Sequence, residues 1–143
     1  MPNKIEPRMM GGKMLNQSIY IDCKWLLRRL YKIRHKVAKR HRGCLFDNLL
    51  IPSVLAMLGH FRAAYKFKDR RVEELDMLLF EFERVNAIID LTSEEKIITE
   101  KEFAALFEYI ERIYNSVVAY RASARKAKFT AGSNNDSGAE TDN

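Results

Sequence analysis

The sequence predicts an all-α protein, folded as an antiparallel up-down-up-down four-helix bundle. Three observations support this fold class. Apolar residues recur at steps of three and four in four separate segments, which is the period of a helix with one buried face. No segment alternates apolar and polar residues between hairpin turns, as a half-buried strand would. The connections between the segments are short, so consecutive helices are expected to pack antiparallel.

The first predicted helix has one apolar seam: Ile19, Cys23, Leu26, Leu30, Ile33 and Val37. Gly43 follows a stretch rich in Lys, Arg and His and is the predicted C-terminal stop. The second helix runs from about residue 45 to residue 67, with a seam of Leu50, Val54, Met57, Phe61 and Ala64. Pro52 lies about one turn after a predicted cap at Asp47 or Asn48, so it occupies the first turn or kinks a longer helix.

The third helix is predicted over residues 69–91, with a seam of Val72, Leu75, Leu79, Phe82, Asn86 and Ile89. Thr99 and Glu102 form a predicted capping box that opens the fourth helix. The fourth seam is Phe103, Leu106, Ile110, Ile113, Val117 and Tyr120, and the helix ends near Lys128. Thr92 and Glu95 predict a short extra turn between these two helices.

Composition divides the chain into a flexible leader (1–17), the bundle (18–128) and a disordered polar tail (129–143). Cys23 and Cys44 follow no disulfide pattern and no secretory signal is apparent, so a cytoplasmic location is expected. The longest apolar run, residues 49–59, is interrupted by Pro52 and Ser53 and is shorter than a membrane span. We therefore expect no membrane association.

The charges are segregated along the chain. The net charge is +6, and nine Lys or Arg with no acid lie between Cys23 and Phe46. Residues 72–111 instead hold twelve acids and three basic residues. Five of the nine cations are spaced by four and predict a cationic ridge along the first helix: Lys24, Arg28, Lys32, Lys36 and Arg40. Each such like-charged pair destabilises a helix by about 0.2–0.5 kcal/mol, and nothing within the helix offsets this.

Two further basic clusters lie near the predicted ends of the second and fourth helices. The second cluster is Arg62, Lys66, Lys68, Arg70 and Arg71, and the third is Arg121, Arg125, Lys126 and Lys128. In an up-down bundle both could adjoin the start of the first helix and extend the ridge. The predicted nucleic-acid-binding residues are Lys24, Arg28, Arg29, Lys32, Lys36, Lys39, Arg40, Arg42, Arg62, Lys66, Arg70 and Arg71.

A phosphate backbone is the partner that this charge distribution favours, through counterion release. Two alternatives stay open, namely an acidic protein surface and a solvated basic face without a partner. No helix-turn-helix, zinc-finger or RNA-recognition motif is apparent, so we expect recognition of backbone and shape and not of base sequence.

The sequence predicts neither catalysis, nor a metal site, nor a cofactor. The three histidines and two cysteines have no metal-ligand spacing, and no glycine-rich phosphate loop or nucleophile–base pair occurs. The second helix carries a second apolar side, Ile51, Leu55 and Leu58, which favours a subunit interface over the alternative of a central helix. Candidate companions at that interface are Trp25, Tyr31 and Phe107.

A set of spaced apolar and basic positions runs from residue 19 to residue 128. These are Leu30, Tyr31, Arg40, His41, Phe46, Val54, Leu58, Ala63, Arg71, Leu78, Leu79, Phe82, Ile89 and Thr92, followed by a fourth amphipathic helix that ends in residues 121–128. In this order they resemble the accessory variability determinant proteins of diversity-generating retroelements. Four-helix-bundle proteins of bacterial ribosomal RNA intervening sequences share the same plan and are the alternative family. The long leader and polar tail depart from the family pattern.

The resemblance implies a homopentamer, encoded by a bacterium or phage, whose basic outer surface binds a reverse transcriptase and its template RNA or cDNA. Such an accessory protein catalyses nothing itself and supports mutagenic cDNA synthesis. The family's basic helix positions would correspond to Arg28, Lys32, Lys36, Arg40 and Arg71. A protein-interaction adaptor, with a basic face for an acidic partner, is the alternative function.

Overall fold

The structure is a computed structural model that describes the backbone of residues 14–135 and the side chains of residues 18–130. Within these ranges it contains helices, turns and bends, and no strand. Its four long helices are α1 (Met14–Arg34), α2 (Lys39–Lys66), α3 (Arg71–Glu94) and α4 (Glu100–Asn135). A 3-10 turn, Lys68–Arg70, joins α2 to α3. The all-α class predicted from the sequence is confirmed.

The four helices share one apolar core. α1 packs on α2 and α4, and α3 packs on the same two helices. The seams predicted for α1 and α2 are buried at every position. On α4 the seam is buried from Leu106 to Tyr120, Ala124 extends it by a turn, and Phe103 is half-buried at its start. Helical periodicity therefore identified the core face correctly on three of the four helices.

The buried face of α3 differs in part from the predicted one. Leu78 and Val85 are fully buried, whereas Leu79 is half-buried and Asn86 is exposed. Both sets of residues repeat every three to four positions, and the two leucines are adjacent in sequence. Periodicity alone thus allows two faces roughly 100° apart around the helix, and packing against α2 and α4 selects one of them.

The predicted end of the first helix at Gly43 is wrong. α1 ends at Arg34 and α2 begins at Lys39, so that Gly43 lies inside α2. The guanidinium of Arg42 donates hydrogen bonds to the backbone carbonyls of His35 (3.2 Å) and Val37 (3.0 Å) in the intervening turn. A charged donor thus satisfies carbonyls that a continuing helix would have paired internally, and this stabilises the earlier end of α1.

Pro52 lies in the first turn of the α-helical part of α2, Ile51–Lys66, and this part continues a helix that begins at Lys39, so both sequence alternatives hold in part. The segment before it, Arg42–Leu50, is π-helical, and the Ile51 N–H donates to the carbonyl of Phe46, five residues earlier. Proline lacks an N–H and its ring clashes with the carbonyl four residues back, so a wider turn at this point accommodates it. The predicted cap at Asp47 or Asn48 is wrong, because both lie inside the helix.

Among the described residues, α2 is the one helix long enough and apolar enough to cross a membrane, by length and composition alone. Of its most apolar 18-residue window, 33% is buried inside the protein. The apolar run noted in the sequence, residues 49–59, covers only part of this helix, and the expectation of no membrane association stays a prediction. Core helices of soluble proteins meet the same criterion of length and composition.

The connection between α3 and α4 contains no extra turn opened by Thr92, which corrects the sequence-based expectation. α3 continues to Glu94 and ends in a Schellman motif, in which the Ile97 N–H donates to the Thr92 carbonyl (2.8 Å) and the Lys96 N–H to the Ser93 carbonyl (3.0 Å). Lys96 has the left-handed conformation (φ 58°) that this motif needs. The capping box that follows is confirmed by reciprocal bonds of 2.9 and 3.0 Å between Thr99 and Glu102.

The first and last helices, α1 and α4, extend beyond the predicted limits of the bundle, residues 18 and 128. α1 begins four residues before residue 18, and α4 continues seven residues past residue 128. The rest of the predicted leader and tail, residues 1–13 and 136–143, lies outside the described residues.

Candidate nucleic-acid interface

α1 presents four of the predicted binding residues on its outer side. Lys24, Arg28, Arg29 and Lys32 are all exposed, while the seam of this helix is buried against α2 and α4. No acidic residue lies on α1 after Asp22. We refer to this exposed side of α1, which carries the four cations, as the α1 basic surface.

The prediction of five cations stacked along one helix is wrong. Because α1 ends at Arg34, Lys36 lies in the turn between α1 and α2, and Arg40 lies in the first turn of α2. Lys39 opens α2 beside it, and all three side chains are exposed. They form a turn cluster (Lys36, Lys39 and Arg40) that follows the α1 basic surface along the chain without continuing its helical register.

Most of the cations of the α1 basic surface and the turn cluster form no ion pair with a carboxylate of the described residues. Arg34, the last residue of α1, does have a partner: its guanidinium contacts both oxygens of Asp47 at 2.6 and 2.7 Å and, by this hydrogen bonding, holds the pKa of that carboxyl below its usual value. The following cations form no ion pair with any residue that the structure describes: Arg28, Arg29, Lys32, Lys36, Lys39 and Arg40. The acids of α3 and α4 therefore form no ion pair with these six cations.

Two of the predicted binding residues have structural contacts instead. Arg42 bonds to carbonyls of the α1–α2 turn, and Arg71 donates to the carbonyls of Ala64 (2.7 Å) and Tyr65 (2.9 Å) at the end of α2. The Arg71 guanidinium also lies 5.5 Å from the ring centroid of Tyr120 on α4. Both arginines are half-buried, so their donors are directed at the protein backbone.

The second basic cluster surrounds an exposed aromatic ring at the end of α2. Arg70 and Lys66 lie over the ring of Phe67, at 4.5 and 5.6 Å from its centroid, and Phe67 is 38% exposed. Arg62 and Lys68 are exposed close by in sequence. This cluster combines cations with a ring and forms no ion pair within the described part of the chain.

The third basic cluster is partly neutralised. Arg121 pairs with Asp76, and Lys128 pairs with Glu73 at 3.0 Å, both on the first turns of α3. Arg121, Arg125 and Lys128 line an open cleft of about 410 Å³ together with Val72 and Phe129. The contact between Arg71 and Tyr120 brings the second and third clusters to the same end of the protein. No described contact links either of them to the α1 basic surface.

Two exposed aromatic rings, which the sequence-based expectation places at a subunit interface, belong to the α1 basic surface. Trp25 is 42% exposed, and its ring centroid lies 4.8 Å from the guanidinium carbon of Arg28. Tyr31 is 57% exposed and makes an edge-on contact with the His35 ring, with centroids 4.9 Å apart. The three-residue spacing of Trp25, Arg28 and Tyr31 is the sequence pattern from which this arrangement could have been predicted.

Within the described residues, no group of three or more His, Cys, Asp or Glu could hold a metal ion. Cys23 is buried, and this burial raises the pKa of its thiol to about 12, whereas Cys44 is exposed. Nδ1 of His60 lies 2.8 Å from a carboxylate oxygen of Glu74 and joins α2 to α3.

Comparison of the chain with protein-family models, with curated proteins and with solved structures gives no match. The resemblance to the retroelement accessory proteins therefore stays a prediction from the sequence.

Proposed function

We propose that this protein is a non-catalytic accessory protein that binds a nucleic-acid backbone through the α1 basic surface and the turn cluster. One observation carries the proposal: six exposed Lys and Arg side chains of this region have no carboxylate partner among the described residues. An isolated protein gains nothing from such an arrangement, since like charges repel. When a polyanion binds these cations, it releases its condensed counterions, and this release contributes to the affinity.

The charge pattern also distinguishes this region from an ordinary solvated face. Ion pairs occur elsewhere on the protein where basic and acidic residues meet, as in Arg84–Glu81 (3.1 Å) and Arg112–Asp22 (3.4 Å). α1 could have carried similar pairs but has no acid after Asp22. Arginine, which makes up half of the α1 basic surface, contacts phosphate in a bidentate manner.

For the topology, we propose the antiparallel up-down-up-down arrangement. The pair Arg34–Asp47 joins the end of α1 to the early part of α2, and Lys128–Glu73 joins the end of α4 to the start of α3. Contacts of this kind, between the end of one helix and the start of another, favour antiparallel neighbours. Under this topology the turn cluster and the acidic α3–α4 connection lie at one end, and the second and third basic clusters lie at the other.

We further propose a homo-oligomer and the partnership that the sequence resemblance implies. The second apolar side of α2 supports the oligomer, because Leu55 is 51% exposed and Ile51 and Leu58 are only half-buried in the single chain. A pentamer that binds a reverse transcriptase and its template RNA or cDNA in a cytoplasm is the specific form of this proposal. Light scattering of the purified protein tests the oligomer, and a monomer contradicts it.

Charge reversal tests the proposed interface. The variant Arg28→Glu/Lys32→Glu replaces two exposed cations of α1 that have no carboxylate partner among the described residues, and it should remain helical. For a fluorescein-labelled 20-nucleotide RNA, anisotropy titrations between 50 and 200 mM salt should show a clear loss of affinity. The slope of log K against log salt should become less steep by about 1.4–1.8, as two phosphate contacts are lost.

The matched control is Arg84→Glu/Lys101→Glu, which changes the net charge by the same amount in the acid-rich half of the chain. This control should show an unchanged slope of log K against log salt. Its affinity for the RNA should fall only slightly, because its net charge is lower. Equal losses in both double variants would show that net charge alone, and no defined surface, governs binding. If the unmodified protein binds neither RNA nor DNA at about 100 mM salt, the result favours the alternative function, an adaptor that binds an acidic protein partner.

A further inference from the structure

The outer side of α1 carries two large aromatic rings that the protein does not bury. Trp25 and Tyr31 are 42% and 57% exposed, although aromatic rings gain the most from burial of all side chains. Each ring lies three residues from Arg28, so the three side chains form one oblique row across the exposed side of the helix. Along the helix axis the two rings are separated by about 9 Å.

Contacts with neighbouring side chains hold both rings in place. The guanidinium of Arg28 lies 4.8 Å from the Trp25 ring centroid, and the ring of His35 meets that of Tyr31 edge-on at an interplanar angle of 84°. Arg29 and Lys32 are exposed next to this row. The α1 basic surface therefore combines pre-oriented rings with cations, so one strand can place bases on the rings and phosphates on the cations.

We infer that the α1 basic surface binds single-stranded nucleic acid in preference to a duplex, with Trp25 and Tyr31 as platforms on which unpaired bases stack. This inference rests on the proposed function and specifies the ligand of the same site. In a duplex the bases already stack on each other, and a helix surface that lies on the backbone meets phosphates and sugars. In a single strand each base has a free face for an aromatic ring.

Trp25 is the only tryptophan of the chain, so its fluorescence reports on this site alone. Three probes of 20 units are titrated at about 100 mM salt: a uridine oligomer, an RNA duplex, and an abasic oligomer with the same phosphates and no bases. The uridine oligomer should bind most tightly and quench Trp25. The duplex and the abasic oligomer should bind more weakly and change the emission little.

Substitution of the ring gives the second measurement. Trp25→Ala should lower the affinity for the uridine oligomer by about 5–150-fold, which corresponds to the loss of one stacked base. Its affinity for the duplex and the abasic oligomer, followed by anisotropy, should change less than about twofold. Trp25→Phe should restore most of the lost affinity. The control Phe80→Ala removes an exposed ring, 70%, from the acid-rich α3 and should bind like the unmodified protein.

The outcomes separate this inference from the proposed function. If all three probes bind equally and Trp25→Ala has no effect, base stacking is rejected while backbone binding stands. If neither single strand nor duplex binds, both proposals fail. If Phe80→Ala weakens binding as much as Trp25→Ala, the rings of α1 have no special role and the inference is overturned.

Discussion

Replacement of Arg71 by alanine should destabilise the protein much more than the same replacement at the adjacent Arg70. The guanidinium of Arg71 donates two hydrogen bonds, of 2.7 and 2.9 Å, to carbonyls at the end of α2 and lies over the Tyr120 ring of α4. A hydrogen bond to a charged group contributes about 1.5–3 kcal/mol, and removal of the donor leaves half-buried carbonyls without a partner. Because such contributions are not additive, we expect a total loss of about 2–4 kcal/mol.

Arg70 provides the matched control. Its side chain is exposed and its recorded contact is with the ring of Phe67, at 4.5 Å from the centroid. An exposed cation–π contact contributes about 0.5–1 kcal/mol, so Arg70→Ala should lie within that range. Arg71→Lys keeps the charge but loses the planar fork and should give an intermediate loss.

Urea unfolding followed by circular dichroism at 222 nm measures the difference. For slopes of about 2 kcal/mol per molar urea, Arg71→Ala should lower the midpoint by about 1–2 M and Arg70→Ala by less than about 0.5 M. Free-energy losses that agree within about 0.5 kcal/mol would refute the reasoning. A loss of RNA binding in Arg71→Ala at unchanged stability would instead assign Arg71 to the nucleic-acid interface, as the family resemblance implies.

Cys44 should react with an alkylating reagent in the native protein and Cys23 only after unfolding, because burial raises the Cys23 pKa to about 12. Mass spectrometry should find one modified thiol before urea addition and two after it, and two before it would contradict the buried assignment. Asp22→Asn should stabilise the protein at pH 7 by up to about 1 kcal/mol. Burial raises the pKa of Asp22, and this effect is larger than the lowering caused by the Arg112 guanidinium of α4. Folding therefore favours the neutral form of Asp22. The stability that this carboxyl contributes is complete below its usual pKa of 3.8 and is lost as the pH rises through its folded pKa. A lower melting temperature of this variant at pH 7 would show that the ion pair outweighs desolvation. Asp47→Asn has the opposite pH dependence, because Arg34 lowers the pKa of Asp47. The variant should melt below the unmodified protein at neutral pH, and the gap should close as the pH falls through that lowered pKa; a gap that persists in acid would contradict the assignment.

Most of the core follows from local sequence. The seams of α1 and α2 and most of that of α4 could be predicted because the step between side chains on one helix face is fixed by helix geometry. The capping box of Thr99 and Glu102 could be predicted because both partners lie within one turn. The face of α3 could not be fully predicted, since adjacent leucines at 78 and 79 satisfy the period equally and only the neighbouring helices distinguish them.

The sequence by itself determined the helical class, the main core seams and the acid-free basic stretch from Cys23 to Phe46. These are properties of residue spacing and composition. Only the tertiary structure decided where α1 ends, which arginines bond to backbone carbonyls, and which cations stay without a carboxylate. Each of these depends on contacts between residues that lie several to many positions apart, such as Arg34 with Asp47 and Lys128 with Glu73. No helical period carries that information, because it arises only when separate helices pack.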